Sequence, residues 1–253
     1  MGFRKAVFIN KKGQKLIGIL HTPPKRSSSM IIMVHGFYGD KDEQGLFVNA
    51  AKEFCSNGYN VLRFDCAGNG ESDGRSRDIT RKSERDDLIS AIRYARSIGM
   101  GRIGVLGFSL GAGVAIIAYR RGIKAMCLWS ASSRARRLYD RYKASKEYMS
   151  ELREKGYFTR VRSNGTFEVG RAFMNECLRL ALDQYIMKIK CPVLVVHGTK
   201  DGATPPSEAR RLYGMLKTGK RLVLINGSGH RYETKRQQGQ AIRASLDWFE
   251  RYL

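Results

Sequence analysis

Gly107-Phe108-Ser109-Leu110-Gly111 is the stretch that decides the fold. It follows the short apolar run Ile103–Gly107, which reads as a strand, and opens Leu110–Tyr119, which reads as a helix. A serine at so tight a strand-to-helix turn has a strained backbone, and bulky neighbours two residues to either side would collide there. Gly107 and Gly111 remove that collision, and Gly113 is expected to allow still closer helix–sheet contact. The turn lifts the hydroxyl above the sheet edge. It also sets it at a helix N-terminus, whose free N–H groups favour developing negative charge. Ser109 is therefore the candidate nucleophile.

Outward from this turn, strand and helix alternate. Upstream, Phe3–Ile9 and Leu16–His21 alternate about a turn at Asn10-Lys11-Lys12-Gly13 and predict an antiparallel hairpin. Met30–Val34 is a continuous apolar run, as in a central parallel strand buried on both faces. A helix over Leu46–Ser56, a strand at Val61–Phe64, a Gly-rich loop through Gly74 and a helix over Arg81–Arg96 lead into the serine turn. Downstream come strands at Lys124–Trp129, Val193–Val196 and Arg221–Ile225, a helix near Ser207–Leu216, and a terminal helix carrying Leu246, Trp248 and Phe249. This rhythm predicts an α/β fold: a mostly parallel sheet with helices on both faces and the hairpin at its antiparallel edge.

Residues 131–190 break the rhythm. A charged helix over Ala135–Lys155, an alternating stretch over Tyr157–Val169 turning at Asn164-Gly165, and a helix over Arg171–Tyr185 predict an inserted helix–hairpin–helix cap. The core is then 1–130 and 191–253.

The composition excludes other classes. Hydrophobic residues are 42% of 253 positions and Pro only five, which is globular rather than disordered or fibrous. No apolar run reaches membrane-span length, and the N-terminal stretch lacks the pattern of a signal peptide, so a soluble cytoplasmic protein is expected. Lys plus Arg number 46 against 23 Asp plus Glu, a formal charge of +23. These cations are dispersed and no nucleic-acid reader motif contains them, so salt-sensitive adsorption to polyanions is expected, not specific nucleic-acid recognition. A homo-oligomer is compatible with the sequence. Cys55, Cys66, Cys127, Cys177 and Cys191 have no zinc-ligand spacing and read as buried thiols in a reducing compartment. Neither a metal nor a cofactor is expected.

A serine nucleophile needs a base and a carboxylate to orient it. His21 ends an edge strand. His35 and His197 each precede Gly directly after an apolar strand, where loop hydrogen bonds are expected to hold them. His230, in Gly227-Ser228-Gly229-His230, occupies a flexible loop between the last core strand and the terminal helix and is the candidate base. Asp201, in the loop beyond the penultimate strand, is the candidate orienter. Asp65 is expected to secure the Gly-rich loop instead, and Asp247 lies inside the terminal helix.

The serine turn, the His35-Gly36 loop, the His197-Gly198-Thr199-Lys200-Asp201 segment and the late His230 together resemble the α/β-hydrolase superfamily over essentially the whole chain. The segments His35-Gly36-Phe37-Tyr38-Gly39-Asp40-Lys41 and Phe64–Gly74 resemble most nearly its cinnamoyl or feruloyl esterase and serine-aminopeptidase-like members. One departure is Gly68-Asn69-Gly70, where such relatives commonly carry Gly-His-Gly. The resemblance implies an eight-stranded, mostly parallel sheet, a Ser–Asp–His triad and an oxyanion hole of backbone N–H groups, here those of Phe37 and Leu110. It also implies hydrolysis of a small-molecule carboxylic ester, short-acyl or hydroxycinnamoyl, through an acyl-enzyme. A peptidase, thioesterase, lactonase or perhydrolase of the same fold would share the triad, and a noncatalytic binding protein is the alternative of a different class. Tyr38, Tyr139, Tyr142, Tyr157 and Phe158 are candidates for an aromatic substrate wall, or else for the core of the cap.

Overall fold

The computed structural model describes residues 2–120, 122–162 and 165–253. Gly2–Ile9 (β1) and Lys15–Thr22 (β2) form the expected antiparallel hairpin. Ser29–Val34 (β3), Leu46–Ser56 (α1), Asn60–Phe64 (β4), Arg81–Ser97 (α2), Arg102–Phe108 (β5), Leu110–Ala118 (α3) and Ile123–Trp129 (β6) follow in strict alternation. After an excursion, Val193–Gly198, Pro206–Met215, Lys220–Ile225 and Lys235–Tyr252 resume it.

The excursion contains Arg136–Lys143 (α4), Lys146–Lys155 (α5), a two-stranded antiparallel hairpin of Tyr157–Arg162 (β7) and Gly165–Gly170 (β8), then Arg171–Arg179 (α6) and Asp183–Ile186 (α7). The resumed core elements are β9, α8, β10 and α9 in that order. The eight core strands make one sheet in the order β1-β2-β4-β3-β5-β6-β9-β10, with β2 antiparallel to β1 and β4 and every other pair parallel. This is the α/β-hydrolase arrangement expected from the sequence.

Period-two alternation divides the core between the two faces of the sheet. Met30, Ile32 and Val34 of β3 pack with Leu88 and Ile92 of α2, Val114 of α3 and Leu212 of α8. Ile31 and Met33 pack on the opposite face with Phe47 and Phe54 of α1 and Trp248 and Phe249 of α9. Each such side chain contributes roughly 1.5–3 kcal/mol by leaving water. The apolar runs are continuous because both faces are covered. Among the described residues, no helix is long and apolar enough to cross a membrane.

Two expected helices are each divided. The stretch 135–155 breaks at Ser145, whose side chain accepts the Tyr148 N–H at 3.2 Å and caps a new helix. The stretch 171–185 breaks at Leu180, which leaves helical geometry with ψ 107°. Apolar spacing continues across both breaks, so periodicity alone joins what the backbone separates. The expected hairpin turn includes Asn164, which lies outside the described residues.

Candidate active site

Ser109 stands between β5 and α3 with φ 54° and ψ −114°, a conformation an L-residue adopts only under constraint. The constraint is close packing on both sides. A Cβ at Gly107 would lie 2.4 Å from the Gly111 carbonyl oxygen, and one at Gly111 would lie 2.2 Å from that of Val34. Gly113 does not make the close approach to the sheet that was expected: a Cβ there would meet only Arg81 of α2, at an ordinary contact distance of 3.6 Å.

Strand order carries the other two groups to the same edge. Parallel β5, β9 and β10 end together, so the loops after them converge. His230 Nε2 lies 3.0 Å from Ser109 Oγ, and His230 Nδ1 lies 2.7 Å from Asp201 Oδ2. A carboxylate only accepts, so Nδ1 carries the proton and Nε2 is free to accept from the serine hydroxyl. Ser130 Oγ donates to the His230 carbonyl at 2.8 Å and helps to hold the loop.

Asp201 is buried, with Oδ1 accepting the N–H groups of Ala203 at 2.9 Å and Thr204 at 2.8 Å. Burial alone would raise its pKa. Hydrogen bonds from His197 and His230 outweigh that effect and hold the carboxyl well below the usual carboxylate range. His197 Nε2 bonds the Thr204 carbonyl at 2.8 Å and lies 3.3 Å from Asp201 Oδ2. As expected it is held by the loop, and it also stands beside the Asp201 carboxylate. The His-to-Asp spacing of four residues was the available signal for it.

Phe37 and Leu110 border the cleft together with Ser109, and the backbone N–H of neither donates a hydrogen bond to another described residue. Both residues are buried, and a buried amide is rarely left without an acceptor. The loop carrying Phe37 is fixed by Glu43, which no sequence signal singled out. Its buried carboxylate accepts the Gly36 N–H through Oε1 and meets Arg231 Nη1 at 2.6 Å through Oε2. Asp65 secures the Gly-rich loop as expected, accepting from the N–H groups of Lys41 at 2.6 Å and Glu71 at 2.9 Å.

The expected aromatic wall is placed elsewhere. None of Tyr38, Tyr139, Tyr142, Tyr157 and Phe158 is among the described residues bordering the cleft. Tyr142 and Phe158 are buried against each other with ring centres 5.2 Å apart, and Tyr148 stacks on Phe158 at 4.6 Å. They form the core of the excursion. Tyr38 stacks on Phe167 and donates to the Glu168 carbonyl, tying the Phe37 loop to the β7–β8 hairpin. Tyr139 lies beneath the Lys143 ammonium and Tyr157 beneath the Arg77 guanidinium. The apolar lining comes instead from Phe37, Phe108, Leu110, Leu138 and Leu182.

His35, Cys66 and Glu84 bring potential ligand atoms within 4.8 Å of one another, yet they do not suit a metal ion. His35 Nε2 accepts the Cys66 N–H at 3.0 Å and Nδ1 bonds the Gly36 carbonyl at 2.9 Å, so no lone pair is available. Burial pushes the Cys66 thiol well above its ordinary pKa, which opposes thiolate formation. All five cysteines are buried and unpaired.

Comparison with known proteins agrees with this fold. The model of the prolyl oligopeptidase family matches residues 47–253. An uncharacterised 31.7 kDa protein of the traX-finO intergenic region of Escherichia coli is 24% identical over 264 residues, covering 88% of this chain and 91% of that protein. The mitochondrial palmitoyl-protein thioesterase ABHD10 of Mus musculus is 26% identical over 235 residues, covering 90% of this chain and 77% of that protein. Among solved structures, Est1E from Butyrivibrio proteoclasticus with ferulic acid bound superposes with a TM-score of 0.78 at 22% identity, over 97% of this chain and 100% of that one.

Proposed function

The chain belongs to the prolyl oligopeptidase family, and from that premise we propose that it is a serine hydrolase of carboxylic esters working through an acyl-enzyme. The observation that carries the proposal is the unbroken hydrogen-bonded line from Ser109 Oγ through His230 to Asp201, at 3.0 and 2.7 Å.

In this reading, His230 Nε2 takes the Ser109 proton as Oγ attacks the ester carbonyl. The carbonyl oxygen gains charge and is received by the N–H groups of Phe37 and Leu110, each such donor contributing about 2.7–4 kcal/mol in the transition state. His230 then protonates the leaving alkoxide. Water enters, loses a proton to His230, and releases the acid. Asp201 fixes the imidazole tautomer throughout and stabilises the imidazolium. The excursion between β6 and β9 acts as a cap, since Leu138 of α4 and Leu182 beside α7 border the cleft.

A thioester is a second reading. It is favoured by similarity to a palmitoyl-protein thioesterase, and a thiolate leaves from the same tetrahedral intermediate with less need of protonation. The test is a matched panel of oxygen esters, thioesters and aminoacyl amides sharing one acyl group. Turnover of the oxygen esters that disappears in Ser109→Ala supports the leading reading. Turnover of thioesters alone transfers the assignment to the second, and turnover of amides alone overturns both.

A further inference from the structure

The wall that the cap adds to the cleft is cationic. Arg134 leads into α4, Arg137 and Arg141 lie on it, Arg231 follows the base, and Arg81 opens α2; all five border the cleft. No Asp or Glu is among the described residues bordering it. Two fully buried carboxylates stand behind the wall. Glu208 pairs with Arg134 and, at 3.9 Å, with Arg137, while Glu43 pairs with Arg231 at 2.6 Å.

Arg141 and Arg81 have no carboxylate partner within ion-pair distance among the described residues. Arg141 Nη2 donates to the Ala203 carbonyl at 2.6 Å. The Arg81 guanidinium lies 5.3 Å over the Phe173 ring with Nη1 3.2 Å from Cys177 Sγ, and the residue is only 4% exposed. Five arginines thus border one cleft, and two carboxylates pair with three of them.

Three of these arginines serve the fold through Glu43 and Glu208, while Arg81 and Arg141 have no such ion pair among the described residues. Arg137 and Arg141 are like charges at i,i+4, with Arg134 one turn before, a spacing that weakens a helix. Positive charge at the start of α4 also opposes the helix dipole. An anion seated between the guanidinium groups would relieve both effects, and their planar forks match the two oxygens of a carboxylate or phosphate. Partial exclusion of water from the cleft strengthens that attraction, and the +23 charge of the chain draws anions toward it.

We propose that the substrate of this site is itself an anion, an ester or thioester bearing a carboxylate or phosphate that Arg137 and Arg141 hold. The proposal rests on the hydrolase reading above and adds the substrate class. The anionic group belongs to the acyl chain or to the leaving group, and the two positions are separable by experiment.

The test uses two isosteric pairs. One sets the p-nitrophenyl hemiester of a dicarboxylic acid against the p-nitrophenyl ester of the neutral monoacid of equal length. The other sets a coenzyme A thioester, with its phosphates on the leaving group, against the N-acetylcysteamine thioester of the same acyl group. The charged member of at least one pair should be preferred by about tenfold or more in kcat/KM at low salt, mainly through KM. The pair that shows the preference locates the anion. Added salt should shrink it. The double variant Arg137→Gln, Arg141→Gln should lose far more on the charged member than on the neutral one, and Arg141→Lys should keep part of the preference. Arg141 is exposed, so Arg141→Gln alone gives a folded variant for the same comparison. Equal kcat/KM within both pairs, with the neutral esters turned over, overturns this proposal and leaves the hydrolase reading standing. A preference surviving in the double variant overturns it as well. Absence of turnover on all four substrates together with an unreactive Ser109 defeats the hydrolase reading and this proposal with it.

Discussion

The carboxylate of Glu43 and the guanidinium of Arg231 meet at 2.6 Å, joining the loop of the candidate oxyanion donor Phe37 to the loop of the candidate base His230. Glu43 reaches the first loop through the Gly36 N–H, and Arg231 is the next residue after the base. One charge pair, its carboxylate buried, thereby links the two loops whose candidate groups would act on one carbonyl.

Removing that link should lower kcat more than it raises KM. Glu43→Gln keeps an acceptor for Gly36 and loses only the charge. Glu43→Ala loses both, so it should be the slower enzyme, with a loss of about tenfold or more, because misplacement by about an ångström costs up to about a hundredfold. Steady-state kinetics on one neutral ester, with thermal melts to confirm folding, check the order Ala below Gln below the unaltered protein.

Asp201→Asn should cut kcat by about 10⁴-fold, since an amide in place of the carboxylate permits the wrong imidazole tautomer. The same change has a stability signature. The Asp201 carboxyl is depressed in the folded state, so its contribution is present above the unfolded pKa and is lost as pH falls below it toward the folded value. Melting temperature of the unaltered protein should therefore fall more steeply than that of Asp201→Asn on acidification from about pH 4 downward.

Glu84→Gln should stabilise the protein at neutral and alkaline pH. Burial, with Asp87 nearby, pushes the Glu84 carboxyl well above its ordinary pKa, and its Oε2 has no partner among the described residues. The unfolded chain ionises this group above about pH 4.5 while the folded chain keeps it protonated, so stability drains away as pH rises through that window. The glutamine variant lacks this loss. Melts across pH should show the two proteins converging in acid and separating above it, with Glu84→Gln the higher.

Phe158→Ala should act on stability and not on choice of ester. The ring is fully buried between Tyr142 and Tyr148, so truncation should cost about 3–5 kcal/mol. Leu138→Ala, in contrast, removes part of the cleft lining and should change kcat/KM unequally across acyl lengths, by the 1–3 kcal/mol of a methylene-sized contact. Denaturant titration and an acyl-length series separate the two effects.

These contrasts mark what the sequence made legible. The elbow at Ser109 could be read because its strain demands two glycines at fixed spacing, and the sheet because strands covered on both faces are continuously apolar. His230 and Asp201 could be nominated because the chain places each just beyond a strand that must end at one edge. The role of Glu43 was hidden, since its partners Gly36 and Arg231 are seven and 188 positions away. The cleft wall was left open between two readings for a related reason. Tyr142 and Phe158 have the composition of a binding wall and of a small core alike, and only their mutual contact decides between them. The arginines of α4 were read only as part of a dispersed positive charge, because no pattern in the chain states which side of a short helix borders the cleft.

The central claim is that Ser109 becomes covalently attached to the acyl group under the control of His230. Mass spectrometry of the protein after reaction with a fluorophosphonate tests it most directly. The geometry predicts one adduct, on the peptide carrying Ser109, absent in Ser109→Ala and strongly reduced in a folded His230→Ala variant. An adduct at another residue, or undiminished ester turnover in Ser109→Ala, would contradict it.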